Sequence, residues 1–359
     1  MPFIDVPASL QIELSNVCNA LCPTCQRNTI DWQALKDMKE ELTLENLPVI
    51  NVPTVSEAPN IYVEPDIIRN ITTSKLFESI DRVEFVGTID DPLASPYLII
   101  ILEMLSNAKS SLKFSLHTNG SLRTPEYFVE LAKYFKKPGS SVSFSIDGLE
   151  DTNHLYRRNC QWKKIIENAK AFNNAGGYAT WQYIEFPWNK HQVKQASELS
   201  SVLGFRKFNH RVNIHGQWKK DISEWQWQDF IDMADVDEVY SIADINQNDK
   251  ITCNYQKRKQ YHISYDSKLW PCCILNSNRG HVKIKRHFEE NFNSRYNKDW
   301  NSLKKHSIDD IVAHQFYAND LLASWASKTH GPQQQDRIIS CTMSCSKSDS
   351  NANQQRLIT

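Results

Sequence analysis

The chain has 359 residues, a formal net charge of −1 at pH 7 and 40% hydrophobic residues. That length provides for about two domains, or one large barrel with an appendage. The near-neutral charge gives no field that would recruit nucleic acid or a membrane surface, so neither partner is expected. No apolar run approaches the ~18 residues of a membrane span, and the opening MPFIDVPASLQIEL has no charged segment followed by an apolar core. A cytoplasmic protein is expected. Nine cysteines in a reducing compartment point to metal or cluster ligation rather than disulfides, and an odd number leaves one unpaired in any case.

The first predicted element is a strand over residues 10–14 (LQIEL), which runs directly into Cys18, Cys22 and Cys25. The spacing C-x3-C-x2-C supplies three thiolates to a four-iron cluster and leaves one iron without a protein ligand, where such clusters normally take four cysteines. Taken alone, the triplet also fits an incomplete zinc knuckle or pieces of a disulfide framework. An overlong interval follows. Its Pro-rich part, 47–65, reads as an insertion (about 30–75), either over the mouth of a barrel or as a surface excursion without a role.

From Arg82 onward, strand-like runs at 82–86, 112–117, 142–147, 180–186 and about 207–214 alternate with helical patterns at 97–108, 125–135, 162–173 and 192–203. Alternation of this kind indicates βαβ units and a parallel sheet. With the strand before Cys18 there are six, too few for a closed eight-stranded barrel. After Ile214 the pattern becomes tryptophan-rich and polar (Trp218, Trp225, Trp227), reading as a connector, and the end of the chain is polar and expected to be disordered.

These features resemble the radical S-adenosylmethionine (SAM) superfamily. The resemblance implies an α/β fold: an open (β/α)6 partial TIM barrel with a small C-terminal Cys-rich α+β domain. It also implies chemistry at the C-terminal strand ends. Asp91, in IDDP, takes the place of the acid in the superfamily's Gly-Gly-Glu-Pro segment that holds the SAM amine, with Asp90 standing where glycine is usual. Asn119, in HTNG, matches a Thr-Asn-Gly strand end. Ser145 and Arg157 match the residues that bind the SAM carboxylate, and a guanidinium can grip a carboxylate with two charge-assisted bonds. Asp147 would hold the turn or a ribose hydroxyl, Gln182 would face the pocket, and Arg158 reads as a surface charge. Thr24 replaces an aromatic residue that usually packs near adenine. Cys160 is a candidate hydrogen-atom donor, although most lone cysteines are buried hydrophobes.

Farther on, Cys253, then a strand–turn–strand ending in Pro271-Cys272, then Cys341 and Cys345 resemble a SPASM domain shortened to one cluster, with Ser267 in place of the usual turn glycine. Cys253, Cys272, Cys341 and Cys345 would ligate one auxiliary 4Fe-4S cluster, Cys273 being the competing neighbour. Four cysteines at these spacings also fit a zinc site. The expected organisation is a barrel over 1–216, a connector over 217–246, the SPASM-like domain over 247–346 and a tail over 347–359. The implied cofactors are the SAM-binding 4Fe-4S cluster, the auxiliary 4Fe-4S cluster and SAM, with an electron donor such as flavodoxin or ferredoxin. The expected function is oxidation or cross-linking of a peptide or protein. The alternatives are a sugar or aminocyclitol dehydrogenase or epimerase, and a catalytically inactive zinc-binding interaction protein.

Overall fold

A computed structural model describes residues 3–23, 25, 27–38, 43, 45–51, 59–86, 88–212, 250–276, 296–328 and 338–345. Thr24, the expected connector with its three tryptophans and the expected tail lie outside the described residues. In chain order the strands are β1 (Ser9–Ile12), β2 (Asn28–Ile30), β3 (Val49–Asn51), β4 (Arg82–Phe85), β5 (Lys113–Thr118), β6 (Ser141–Ser145), β7 (Ala179–Glu185), β8 (Lys207–Val212), β9 (Gln260–Ile263) and β10 (Leu269–Trp270). The helices that matter below are α1 (Pro65–Thr72), α2 (Leu98–Ala108), α3 (Pro125–Ala132), α4 (Trp162–Asn174), α5 (Val193–Val202), α6 (Asn254–Lys257) and α7 (Ile339–Cys345). The result is an α/β fold whose main sheet, eight-stranded among the described residues, is mostly parallel and stays open. Among the described residues no helix is long and apolar enough to cross a membrane.

The chain divides into two compact units, one holding residues 13–63 and 84–229, the other 1–12, 64–83 and 230–359. In the first, β5, β6, β7 and β8 pair in parallel, each with the next. The stretch read as an insertion contains β3, which pairs antiparallel with β2 at its leading edge.

Alternation gives β5–β8 two unlike faces. One carries Phe144, Trp181 and Tyr183, all fully buried. Helices cover this face because their apolar residues recur at helical spacing: α4 buries Ile165, Ala169 and Phe172 at i, i+4, i+7, and the polar Asn168 buried beside them donates Nδ2 to the Gly120 and Leu122 carbonyls. Phe144 touches Phe128 of α3, Phe172 of α4 and Phe205 at ring-centroid distances of 5.6, 5.9 and 5.5 Å. The buried polar handles are satisfied, Trp181 Nε1 donating to the Ile146 carbonyl and Tyr183 Oη to that of Asn189. Phe144→Ala should therefore cost about 3–5 kcal/mol of stability, read as a lower urea midpoint at constant m-value. A loss under about 1 kcal/mol would show that this aromatic cluster is not the core.

In the second unit β1 runs parallel to β9, and β9 turns back antiparallel into β10, pairing Ile263 with Leu269 and His262 with Trp270. The turn explains Ser267, which sits at φ +65° where glycine would be unstrained. Its N–H donates to Ser264 O at 2.8 Å. The left-handed geometry is kept without the glycine, at a cost of about 1–2 kcal/mol. Ser267→Gly is accordingly expected to raise the unfolding free energy by about 1 kcal/mol, and an unchanged or lower denaturation midpoint would contradict the strain.

Candidate active site

Every residue expected to meet the SAM-binding cluster falls in the first unit. The loop after β1 carries the cysteine triplet and is pinned at several points. Cys25 N–H donates to Cys22 O at 3.0 Å, and Asn28 donates its Nδ2 to Cys22 O and its N–H to Cys25 O. Arg27, buried, donates Nη1 to the carbonyls of Asn16 (2.7 Å) and Ile89 (2.8 Å), lacing this loop to the one after β4. Nothing in the sequence marked it, since an arginine beside a cysteine motif reads as a surface charge.

The three thiols converge closely enough to feel one another's charge. Burial, then Asp91, raises Cys18 well above the usual thiol range. Burial raises Cys22 to about 12, with Arg157 pulling the other way. Without metal Cys18 and Cys22 are thiols, and iron would have to displace their protons. Three soft sulfur donors grouped on one loop are a donor set suited to an iron–sulfur cluster.

Arg157 lies at the heart of the arrangement. Its Nε contacts Asp147 Oδ2 at 2.6 Å, with side-chain exposures of 18% and 0%. Its Nη1 reaches Cys22 Sγ at 3.7 Å. Asp147 is spoken for: Oδ1 accepts from Ile184 N–H at 2.7 Å, and its backbone is held by Asn153 and Asn189. It therefore aims Arg157 and holds the turn. The neighbouring backbone is tied to the cluster loop, Leu21 N–H donating to Arg158 O at 3.2 Å. Arg158 is half-buried and donates to the Leu47 carbonyl, so it is not the plain surface charge expected.

Asn119 donates Nδ2 to Asn19 Oδ1 at 2.8 Å and approaches Cys18 Sγ at 3.9 Å, while its Oδ1 accepts from Ser121. The next residue, Gly120, has φ +77°, and a Cβ there would meet Phe144 at 2.8 Å. Cys160 is buried and bonded to Ser121, near enough for its charge to act on Cys22, and burial raises its thiol to about 11. Asp91 and Asp90 follow β4 and hold different partners. Asp91 braces Leu93, Thr118 and Asn119. Asp90 accepts from Ser15 N–H at 2.9 Å.

Ser145 and Gln182 lie side by side on the second face of the sheet, the one opposite the helices. The register places His117, Ser143, Thr180 and Lys207 in one row, Ser145, Gln182 and Asn209 in the next, and Ile184 beside Arg211 beyond. All but Ile184 are polar. Asn209 Nδ2 donates to Gln182 Oε1 at 2.6 Å. His117 is exposed by surface area yet ringed by protein atoms. Burial, then the Arg211 charge, pushes its imidazole down to about 4, so it is neutral at pH 7.

In the other unit, Cys253, Cys272, Cys341 and Cys345 border one small pocket, with Ile251, Leu275, Leu321 and Trp325 among its apolar walls. Cys253 precedes α6, Cys272 follows β10, and Cys341 and Cys345 stand four apart on α7, hence on one face. Cys272 feels the charges of Cys273, Cys253 and Cys341. The Cys253–Cys345 hydrogen bond pulls Cys253 down and pushes Cys345 up. Cys273, although buried, is absent from the cavity wall. Among the described residues no group of three or more His, Cys, Asp or Glu side chains is placed to hold a metal ion.

The family model of the radical SAM superfamily matches residues 12–196, just over half of the chain. The chain belongs to the radical SAM superfamily, which makes it an enzyme that uses SAM and a 4Fe-4S cluster. Among solved structures it is similar to Streptococcus suis SuiB, at 13% identity over 90% of this chain and 69% of that one, TM-score 0.49. It is also similar to anSMEcpe with bound AdoMet, at 14% identity over 87% and 82%, TM-score 0.48. BtrN in complex with AdoMet and 2-DOIA follows at 10% identity over 88% and 85%, TM-score 0.39. No curated protein matches the chain in sequence.

Proposed function

We propose that this enzyme is a two-cluster radical SAM oxidoreductase, with Cys18, Cys22 and Cys25 holding the SAM-binding cluster. Cys253, Cys272, Cys341 and Cys345 hold an auxiliary 4Fe-4S cluster in a SPASM-like or shortened twitch domain over about 247–346. The barrel spans 1–216 and the connector 217–246. When bound, SAM and its cluster supply a 5′-deoxyadenosyl radical that removes a hydrogen atom from an unreactive C–H bond, using an electron from a donor such as flavodoxin or ferredoxin.

One observation carries the reading: Arg157, aimed by Asp147, stands 3.7 Å from Cys22 Sγ. A carboxylate held by that guanidinium lies beside the cluster loop, where a SAM that chelates an iron must put it. Asn119 positions the loop at Cys18, and Ser145 stands at the end of β6. The four thiols around one apolar-walled cavity support a fully ligated second cluster suited to moving electrons and with no iron open to substrate. Cys272→Ala is expected to lower bound iron by about four per chain, whereas Cys273→Ala leaves it unchanged. Equal losses would disqualify the assignment of Cys272.

The reaction expected is oxidation or cross-linking of a peptide or protein. A second reading, dehydrogenation or epimerisation of a sugar-like or aminocyclitol substrate, is favoured by the polar face of β5–β8. There Ser143, Ser145, Thr180, Gln182, Asn209 and a neutral His117 offer hydroxyl, amide and imidazole groups to a hydroxylated ligand. Cys160, the hydrogen donor of the epimerase version, is buried and hydrogen-bonded to Ser121, which supports packing more than donation. Deoxyadenosine release accelerated by hydroxylated small molecules and not by peptides would select the second reading; the reverse would select the first.

A further inference from the structure

We propose that the polar face of β5–β8 takes a small hydroxylated substrate by an anionic group, a carboxylate or a phosphate, which Arg211 grips across from His117. The inference deepens the second reading above and rests on it. Charge is the first observation. The described strand positions of that face carry Lys113, Lys207 and Arg211, all exposed, and no aspartate or glutamate. The one acid of these four strands, Glu185, alternates onto the helix-covered face with Trp181 and Tyr183 and there meets His210 at 2.7 Å. On the adjoining β4, Phe85 packs against Phe114 at 6.3 Å, so alternation puts a single acid, Glu84, on the polar side. The face keeps an excess of positive charge.

Shape is the second observation. In a flat sheet β8 would lie about 14 Å from β5, three strand spacings away. The Arg211 charge nevertheless acts on His117, so the guanidinium reaches back over the face toward β5. His117 keeps open surface while protein surrounds it, which is the situation of a group on the floor of a concavity.

The floor between them is built of short hydroxyl and amide side chains, Ser143 and Thr180 in register with His117, and Ser145, Gln182 and Asn209 in the next row. Asn209 donates to Gln182 Oε1 at 2.6 Å, which fixes both amides and leaves the Gln182 amino group as a donor and Asn209 Oδ1 as an acceptor for a ligand. A neutral imidazole adds one donor and one acceptor without charge. Side chains this short meet a ligand only if it descends to the sheet and brings its own hydroxyls, which an extended peptide backbone lacks. Near the C-terminal end of β8, the guanidinium then takes a carboxylate or phosphate with two charge-assisted bonds.

Equilibrium dialysis of radiolabelled glucose, glucuronate and glucose-6-phosphate against the anaerobically reconstituted, SAM-loaded full chain tests this. At least one charged sugar is expected to bind about 10- to 150-fold more tightly than glucose, and which one does so tells carboxylate from phosphate. Arg211→Gln should remove the preference, and Arg211→Lys should keep part of it, because the charge stays and the fork goes. Lys163→Gln, an equal loss of charge at an exposed position of α4, should leave it intact. His117→Phe should weaken glucose and the charged sugars by the same factor. Glucose held as tightly as both anions, a preference that survives Arg211→Gln, or retention of a labelled glutamate-containing tripeptide and of no sugar would overturn the proposal. So would retention of no probe by a preparation that releases 5′-deoxyadenosine under dithionite. A preparation that releases none would instead count against the radical SAM reading itself.

Discussion

Replacing Cys18, Cys22 and Cys25 together by alanine is expected to lower bound iron from about eight to about four per chain and to abolish 5′-deoxyadenosine formation. The size of the effect follows from where the thiols stand. All three lie on one pinned loop, and Cys18 and Cys22 feel the remaining triplet thiols. The second unit has its own four cysteines around its own cavity, so the iron that remains reports the auxiliary site. Single substitutions should behave nearly like the triple variant, because a cubane deprived of one of three protein ligands is hard to retain. Iron unchanged in the triple variant, or lost from both sites, would show that the triplet does not hold an independent cluster.

Arg157→Gln should produce the next largest change, in two measurable parts. Asp147 is completely buried and its partner only slightly exposed. Removing the guanidinium leaves an uncompensated buried charge, a loss of about 3–5 kcal/mol, seen as a lower melting temperature. The second part is binding: a charge-assisted contact worth about 1.5–3 kcal/mol corresponds to roughly 10- to 150-fold in SAM affinity. The double variant Asp147→Asn/Arg157→Gln separates them. It should regain much of the stability because the stranded charge is gone, yet bind SAM no better than the single variant. Recovery of both would mean that Arg157 is only a structural partner of Asp147.

The alternation of strands and helices was legible because each element carries its own periodicity. The expected strand at 207–214 corresponds to Lys207–Val212, and the expected helix at 162–173 to Trp162–Asn174. The candidate ligands were legible for a similar reason: Cys18, Cys22 and Cys25 are neighbours in sequence before they are neighbours in space. What escaped was set by contacts between distant residues. Asp91 looked available until Thr118 and Asn119, 27 and 28 residues on, were seen to fill it. Arg158 looked like a surface charge because its acceptor, Leu47 O, lies 111 residues away. The polar face of β5–β8 emerged only from the register, since a strand alone does not say which of its two faces the helices cover.

The most direct test of the whole account is metal analysis of the anaerobically reconstituted wild-type protein, followed by reduction with dithionite in the presence of SAM and mass spectrometry of the products. About eight irons with matching sulfide, little zinc, and 5′-deoxyadenosine formed only under reduction are the result expected of two cubanes and a working SAM site. Stoichiometric zinc without iron, and SAM recovered intact, would contradict it and leave a metal-braced binding protein in its place.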